Sequence, residues 1–276
     1  MRASIFILTA IVLAGCGSTP QPADPPRLKA ALEAESDGAK RYGRGDYAVA
    51  ARRFDEARRL YASIDDAGGT VRNRLHLART ELALGRADAA LAVLAAAQGS
   101  DPGAALEILL LKAQAELALD RQAAALQSLA AASAQCPAGC RQAASLQLLQ
   151  ARAALAGQRA ADALAHAETG LKLLQDRDEA AETGNAWRLI AAARLAAGDA
   201  GGALPAARSA LEIDRRLALP EKIARDWLLI GDIQKAAASG EAAAAYRKAL
   251  DVADAAGLSD ITRMAKQALA NPALHK

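Results

Sequence analysis

One interval recurs along this chain and limits what it can become. A glycine or aspartate pause is followed, five, nine and twelve residues later, by small or apolar side chains. Gly45 leads to Ala50, Phe54 and Ala57; Gly85 to Ala90, Leu94 and Ala97; Asp120 to Ala125, Leu129 and Ala132; Gly198 to Ala203, Ala207 and Ala210. Steps of three and four put these residues on one face of a helix, and the pause marks a tight turn out of a preceding helix. The unit is a helical hairpin with one apolar face. It cannot bury that face alone, so copies have to stack.

The chain is 53% apolar yet only 3% aromatic. The excess is alanine and leucine, the strongest helix formers, and alanine at a packing position lets two backbones approach closely. These features predict an all-α protein. With 34 basic and 31 acidic residues, the near-balanced charge gives no case for nucleic acid.

The front of the chain is a separate device. Arg2, the apolar run Ile5 to Leu13 and the small residues before Cys16 have the build of a signal peptide over 1–15, and the run is too short to span a bilayer. Leu13-Ala14-Gly15-Cys16 resembles the bacterial lipoprotein box. That resemblance implies lipid on the Cys16 sulfur and Cys16 as the mature N-terminus; an ordinary secretory signal is the alternative. Gly17, where an aspartate would signal inner-membrane retention, favours the outer membrane, with the protein lipid-anchored and facing the periplasm. Residues 16–26 carry four prolines and read as an extended tether. Residues 27–276 form the repeats.

Punctuation along the repeats gives further expectations. Asp66 to Gly69 should end the first hairpin. Ser100 or Asp101 should cap a helix that begins at Pro102. In the fourth hairpin, which turns at Gly157, Asp162 falls on an alanine position, so the register slips to Ala163 and Ala167. Pro205 should lie in the first turn of a late-starting helix, and Ser259 or Asp260 should cap the last one. Cys136-Pro-Ala-Gly-Cys140 suits a disulfide in an oxidising compartment, with two reduced thiols as the alternative; zinc would need more ligands.

Trp187, Ile190, Gly198, Ala203 and Ala210, with Trp227, Ile230 and Gly231, carry a spacing that resembles the tetratricopeptide repeat. The resemblance covers nearly the whole chain after the first thirty residues. It implies a right-handed superhelical solenoid of about six hairpins plus a C-terminal capping helix. The pauses here are roughly 35 to 42 residues apart against about 34 for the standard repeat, and the closing proline is missing. Trp187 and Trp227 occupy equivalent places and read as core wedges.

No catalytic, phosphate-loop or dinucleotide motif is present. His76, His166 and His275 are too few and too scattered for a metal site, and no cofactor is implied. Function falls to the concave face, which in the family is lined by the first helix of each pair. There the alignment places Tyr42, Arg72, Arg79, Glu107, Gln114, Gln147, Asn185, Arg188, Arg225, Asp232 and Lys235. Arginines outnumber the two acids in that set, which suits an acidic segment or a C-terminal carboxylate. The expectation is a non-enzymatic scaffold or adaptor for an envelope protein partner. Its rivals are a receptor for a peptide or small ligand and an enzyme with an unrecognised site.

Overall fold

The computed structural model describes residues 25–97 and 101–270; Cys16, most of its tether, Ser100 and His275 lie outside the described residues. Helices α1 (Pro26–Gly43) and α2 (Tyr47–Ala62) form the first hairpin, α3 (Ala67–Ala83) and α4 (Ala87–Ala95) the second. The third pairs α5 (Pro102–Ala118) with α6 (Gln122–Gln135), and the fourth α7 (Ala143–Ala156) with α8 (Ala160–Leu173). The fifth pairs α9 (Ala180–Ala196) with α10 (Ala200–Arg216), and the sixth α11 (Pro220–Ala236) with α12 (Ala242–Ala255). A last helix, α13 (Ser259–Leu269), covers the end against α12. Among the described residues there is no strand. The fold is the all-α solenoid of six hairpins with a covering helix.

Each hairpin turns on one residue of positive φ: Gly45, Gly85, Asp120, Gln158, Gly198 and Ala238. A left-handed residue there ends the first helix and re-aims the chain. In the fourth hairpin that residue is Gln158, not Gly157. Counted from Gln158, the five, nine and twelve offsets fall on Ala163, Ala167 and Gly170, all buried. The register slip is real and begins at the turn. In the sixth hairpin the second helix arrives one residue early and buries Ala242, Tyr246 and Ala249.

A row of small residues, seven before each turn residue, draws neighbouring helices together. It consists of Gly38, Ala78, Ala113, Ala151, Ala191 and Gly231, all buried. A Cβ on Gly38 would come within 2.8 Å of the Phe54 ring, and one on Gly231 would overlap Tyr246. Tyr61, Tyr246 and Phe54 are the largest fully buried side chains. The two tryptophans are only partly buried, packed at the edge of their clusters. The wedge role expected of them therefore falls to tyrosine, whose hydroxyl can reach a polar partner while the ring fills the gap left by glycine.

Other boundaries differ for local reasons. Asp66 starts α3 instead of ending the first hairpin: its carboxylate accepts from the Gly69 N–H at 2.8 Å, and Gly69 sits in the first turn because its missing side chain makes room for Tyr61. Asp101 caps α5 through the Ala104 N–H at 2.9 Å, with Pro102 at the first helical position. Helix α10 starts early, capped by Asp199 on the Gly202 N–H, and carries Pro205 inside. Pro205 and Gly201 both lie on the exposed face, so water can serve the carbonyl that the proline leaves unbonded. Leu258 precedes α13 with no side-chain cap; the left-handed Gly257 turns the chain early enough that Ser259 is already helical.

Cys136 and Cys140 form a disulfide across the α6–α7 loop, with Cα atoms 5.4 Å apart. The seam between α6 and α7 is the loosest of all consecutive helix packings.

Candidate functional site

The concave face implied by the resemblance is the one formed by two rows of the first helices. Thirteen residues before each turn stand Leu32, Arg72, Glu107, Ser145, Asn185 and Arg225; six before it stand Ala39, Arg79, Gln114, Arg152, Ala192 and Asp232. Seven residues is close to two helical turns, so both rows share a face. The first hairpin ends near this face in the tilted ring pair Tyr42 and Tyr47, 5.2 Å apart. Burial by surrounding protein pushes the Tyr42 pKa up, and Tyr47, Glu182 and Glu221 add to it against Arg79. The first hairpin and the N-terminal ends of α9 and α11 thus share one electric field across the groove.

The arginines expected to lack carboxylate partners all have them. Arg72 grips Glu35 at 2.5 and 2.9 Å, Arg79 pairs with Glu107 at 2.5 Å, and Arg225 with Glu221 at 3.0 Å. Arg188 pairs with Asp214, with Asp226 at 2.6 Å and with the Asn185 amide oxygen at 2.9 Å. Apart from Glu107, the acids come from positions outside the aligned inner rows, which is why counting those rows alone missed them. Asp232 is also committed, accepting the Tyr246 hydroxyl at 2.8 Å.

Two predicted groove residues point elsewhere. Gln147 occupies the register of Trp187 and Trp227 and bonds His166 Nδ1 on α8 at 2.8 Å. Arg188 stands ten residues before its turn, where Leu75, Leu110, Leu148 and Leu228 are buried in other hairpins. Its partners Asp214 and Asp226 are fully buried. Burial raises the Asp226 pKa to about 7 against the pull of Arg188, and Asp214 beside it adds to the rise. Those two carboxylates are sealed from any substrate, so they offer no acid–base site.

Glu35, in the same row as Arg188, behaves oppositely. Burial alone would raise its pKa, but hydrogen bonds from Arg72, Tyr61 and Asn73 outweigh that and hold it at about 2. Tyr61 donates to it at 2.7 Å and is itself pushed up to about 12, chiefly by burial. His76, stacked on Phe54 at 4.9 Å, is lowered by burial and then by Arg79. Among the described residues no cluster of three metal-ligating side chains occurs.

The residue that sequence reasoning missed is Arg152. It lies in the inner row with Arg79 and Gln114, is open to water, and has no ion-pair or hydrogen-bond partner among the described residues. Desolvation by the surrounding protein lowers its pKa, Arg225 adds to that, Glu182 opposes it and Arg188 lowers it further. Counting back six from Gly157 gives buried Ala151; counting from Gln158 gives Arg152. The turn residue was the missing signal.

No family model matches this sequence, and no curated protein matches it. Solved structures do. The chain is similar to the apo form of RapI (13% identity, TM-score 0.60) and to a Rap protein complexed with competence and sporulation factor (14%, 0.64), covering 87% of this chain and 69% of each of those. It is also similar to BtubC from P. vanneervenii at 17% identity and TM-score 0.54, over 85% of this chain and 93% of that one. The fold is that of a tetratricopeptide-like helical solenoid. At such identities the likeness concerns architecture.

What these two rows offer chemically, among the described residues, is a set of ion pairs together with one guanidinium, Arg152, that has no ion-pair partner. A guanidinium crowded by other cations is strongly disposed to a carboxylate. Lys235 at the exposed end of α11 and the half-buried Gln114 complete the polar lining, with no side-chain hydrogen bond or ion pair among the described residues.

Proposed function

We propose that this chain is a non-enzymatic scaffold that binds a protein partner along its concave face, anchored by lipid on Cys16 to the outer membrane and facing the periplasm. The observation that carries the binding reading is Arg152, an inner-row cation with no ion-pair or hydrogen-bond partner among the described residues, pulled one way by Arg225 and Arg188 and the other by Glu182. An acidic segment or a C-terminal carboxylate of an envelope protein would supply the missing charge. That a Rap protein of similar fold has been solved in complex with competence and sporulation factor supports a bound partner. The lipoprotein-box resemblance at Leu13 to Cys16 supports the anchor, and the prolines after it support a spacer of up to about 3 Å per residue.

The test is co-purification from detergent-solubilised envelope. Arg152→Glu should lose the partner recovered with the wild type while keeping the thermal midpoint, and raising salt should weaken the wild-type complex. Unchanged recovery with Arg152→Glu would move the contact off the concave face. Cys16→Ser should release the chain from the membrane pellet, since several acyl chains hold firmly where none remain; unchanged fractionation would end the anchor reading.

A further inference from the structure

The seam between the fifth and sixth hairpins encloses a pocket of about 340 Å³ walled by α10, α11 and α12. Leu211, Trp227 and Ile230 form its apolar floor, with Arg208 and Lys248 at its rim. It opens away from the concave face, because Trp227 and Arg225 are two residues apart on α11 and so about 200° around its axis.

An equivalent hollow lies between the first and second hairpins, walled by α2, α3 and α4. In repeat register Trp227 replaces Arg74, Ile230 replaces Leu77 and Arg208 replaces Asp55; allowing for the early start of α12, Lys248 replaces Ala96. The N-terminal hollow satisfies its own charges. Arg58 bonds Asp55 at 2.7 Å, and Arg74 donates to the Ala96 carbonyl. The C-terminal one does not. Arg208 has no ion-pair or hydrogen-bond partner among the described residues, and Lys248 has only the Trp227 ring, 4.4 Å away, with Arg215 5.1 Å from the same ring. Gln234, 7% exposed, donates to Glu241 at 2.8 Å while its Oε1 has no donor.

These groups describe one ligand. The lining holds two cations against one carboxylate, Glu241, which already accepts from Gln234, so the rim favours an anion; the buried Gln234 oxygen requires an N–H or O–H, and the indole face with Leu211 and Ile230 accepts an apolar group. An acidic peptide supplies all three within a few atoms: a side-chain carboxylate, the backbone N–H beside it and a neighbouring apolar side chain. The volume admits about one such side chain with its flanking backbone. We propose that this hollow docks an extended acidic segment of a protein partner, on a surface separate from the concave face.

The experiment selects short random peptides displayed on phage against the soluble chain, counter-selecting on the Arg208→Glu, Lys248→Glu variant. The winners should be enriched in Asp or Glu next to an apolar residue. The best of them, synthesised and followed by fluorescence anisotropy, should bind the double variant at least tenfold more weakly and Arg152→Glu as well as wild type. Both rim residues are exposed, so the variant should keep its thermal midpoint; should charge reversal unfold it, Arg208→Gln with Lys248→Gln supplies the same comparison. Selection without acid enrichment, or equal binding by the rim variant, overturns the proposal. Displacement of the peptide by free glutamate at equal molar concentration would overturn it in favour of a small-molecule site. Loss of peptide binding in Arg152→Glu alone would assign the peptide to the concave groove instead.

Discussion

Glu35 and Arg188 stand at one place in the repeat, ten residues before the turn, where the other four hairpins bury a leucine. Each replaces an apolar contact with an ionic one, and the two outcomes diverge. In the first hairpin one carboxylate receives a guanidinium and a hydroxyl and titrates at about 2. In the fifth, one guanidinium is divided between two fully buried carboxylates, and Asp226 is pushed up to about 7. Burial opposes ionisation in both; the ratio of donors to charge decides which way the balance falls.

The largest expected effect follows from removing the shared cation. Arg188→Leu restores the residue of its row yet leaves Asp214 and Asp226 buried without a counter-charge, a loss of about 3–5 kcal/mol, measured by urea unfolding at pH 8. A loss under about 1 kcal/mol would show that Lys222 or water compensates, and the contrast between the clusters would collapse. Glu35→Leu should cost less, about 1–3 kcal/mol. The Arg72 side chain is 49% exposed and can rehydrate, so the main casualty is the Tyr61 hydroxyl. Equal losses from the two substitutions would break the comparison.

The pH dependence sharpens it. The folded-state pKa of Asp226 lies above its ordinary 3.8, at about 7. Its contribution to stability is full below about 3.8 and is lost as pH rises through about 7. Glu35 lies below its ordinary 4.5, at about 2, so its contribution is full above about 4.5 and is lost as pH falls through about 2. Denaturation midpoints across pH should show Asp226→Asn removing the decline between about 4 and 7, and Glu35→Gln removing the acid-side drop. Slopes of the same sign would contradict the assignment. The smallest effect is Tyr61→Phe, worth about 0.5–1.5 kcal/mol, read from the same curves.

The hairpins were legible because their signal is redundant: every turn is followed within five residues by a buried alanine, Ala50, Ala90, Ala125, Ala163, Ala203 and Ala242, and every first helix carries the small-residue row. The groove was only partly legible. Arg152 escaped because a glycine, Gly157, drew the turn one residue early, although Gln158 bears the positive φ. Arg188 was misplaced because an exposed-type residue occupied a leucine row, and nothing local reveals that Asp214, on the following helix, comes round to meet it. Carboxylates contributed by other rows and other helices are a property of stacking, which one-helix periodicity does not encode. The tryptophans misled through size: the interior has room for rings only where a glycine faces them, as Gly69 faces Tyr61 and Gly231 faces Tyr246.

A stack of hairpins flexes where adjacent members grip least, and here that joint is the α6–α7 seam at mid-length. Three hairpins lie on either side of it, so a swing of a few degrees is multiplied by two long arms into a change of clearance between Tyr42 and Glu221. The cystine draws the ends of the connecting loop together and denies that loop any slack. A joint of that kind bends more readily than it lengthens, and a stack hinged at its middle changes the gap between its ends while keeping its contour length.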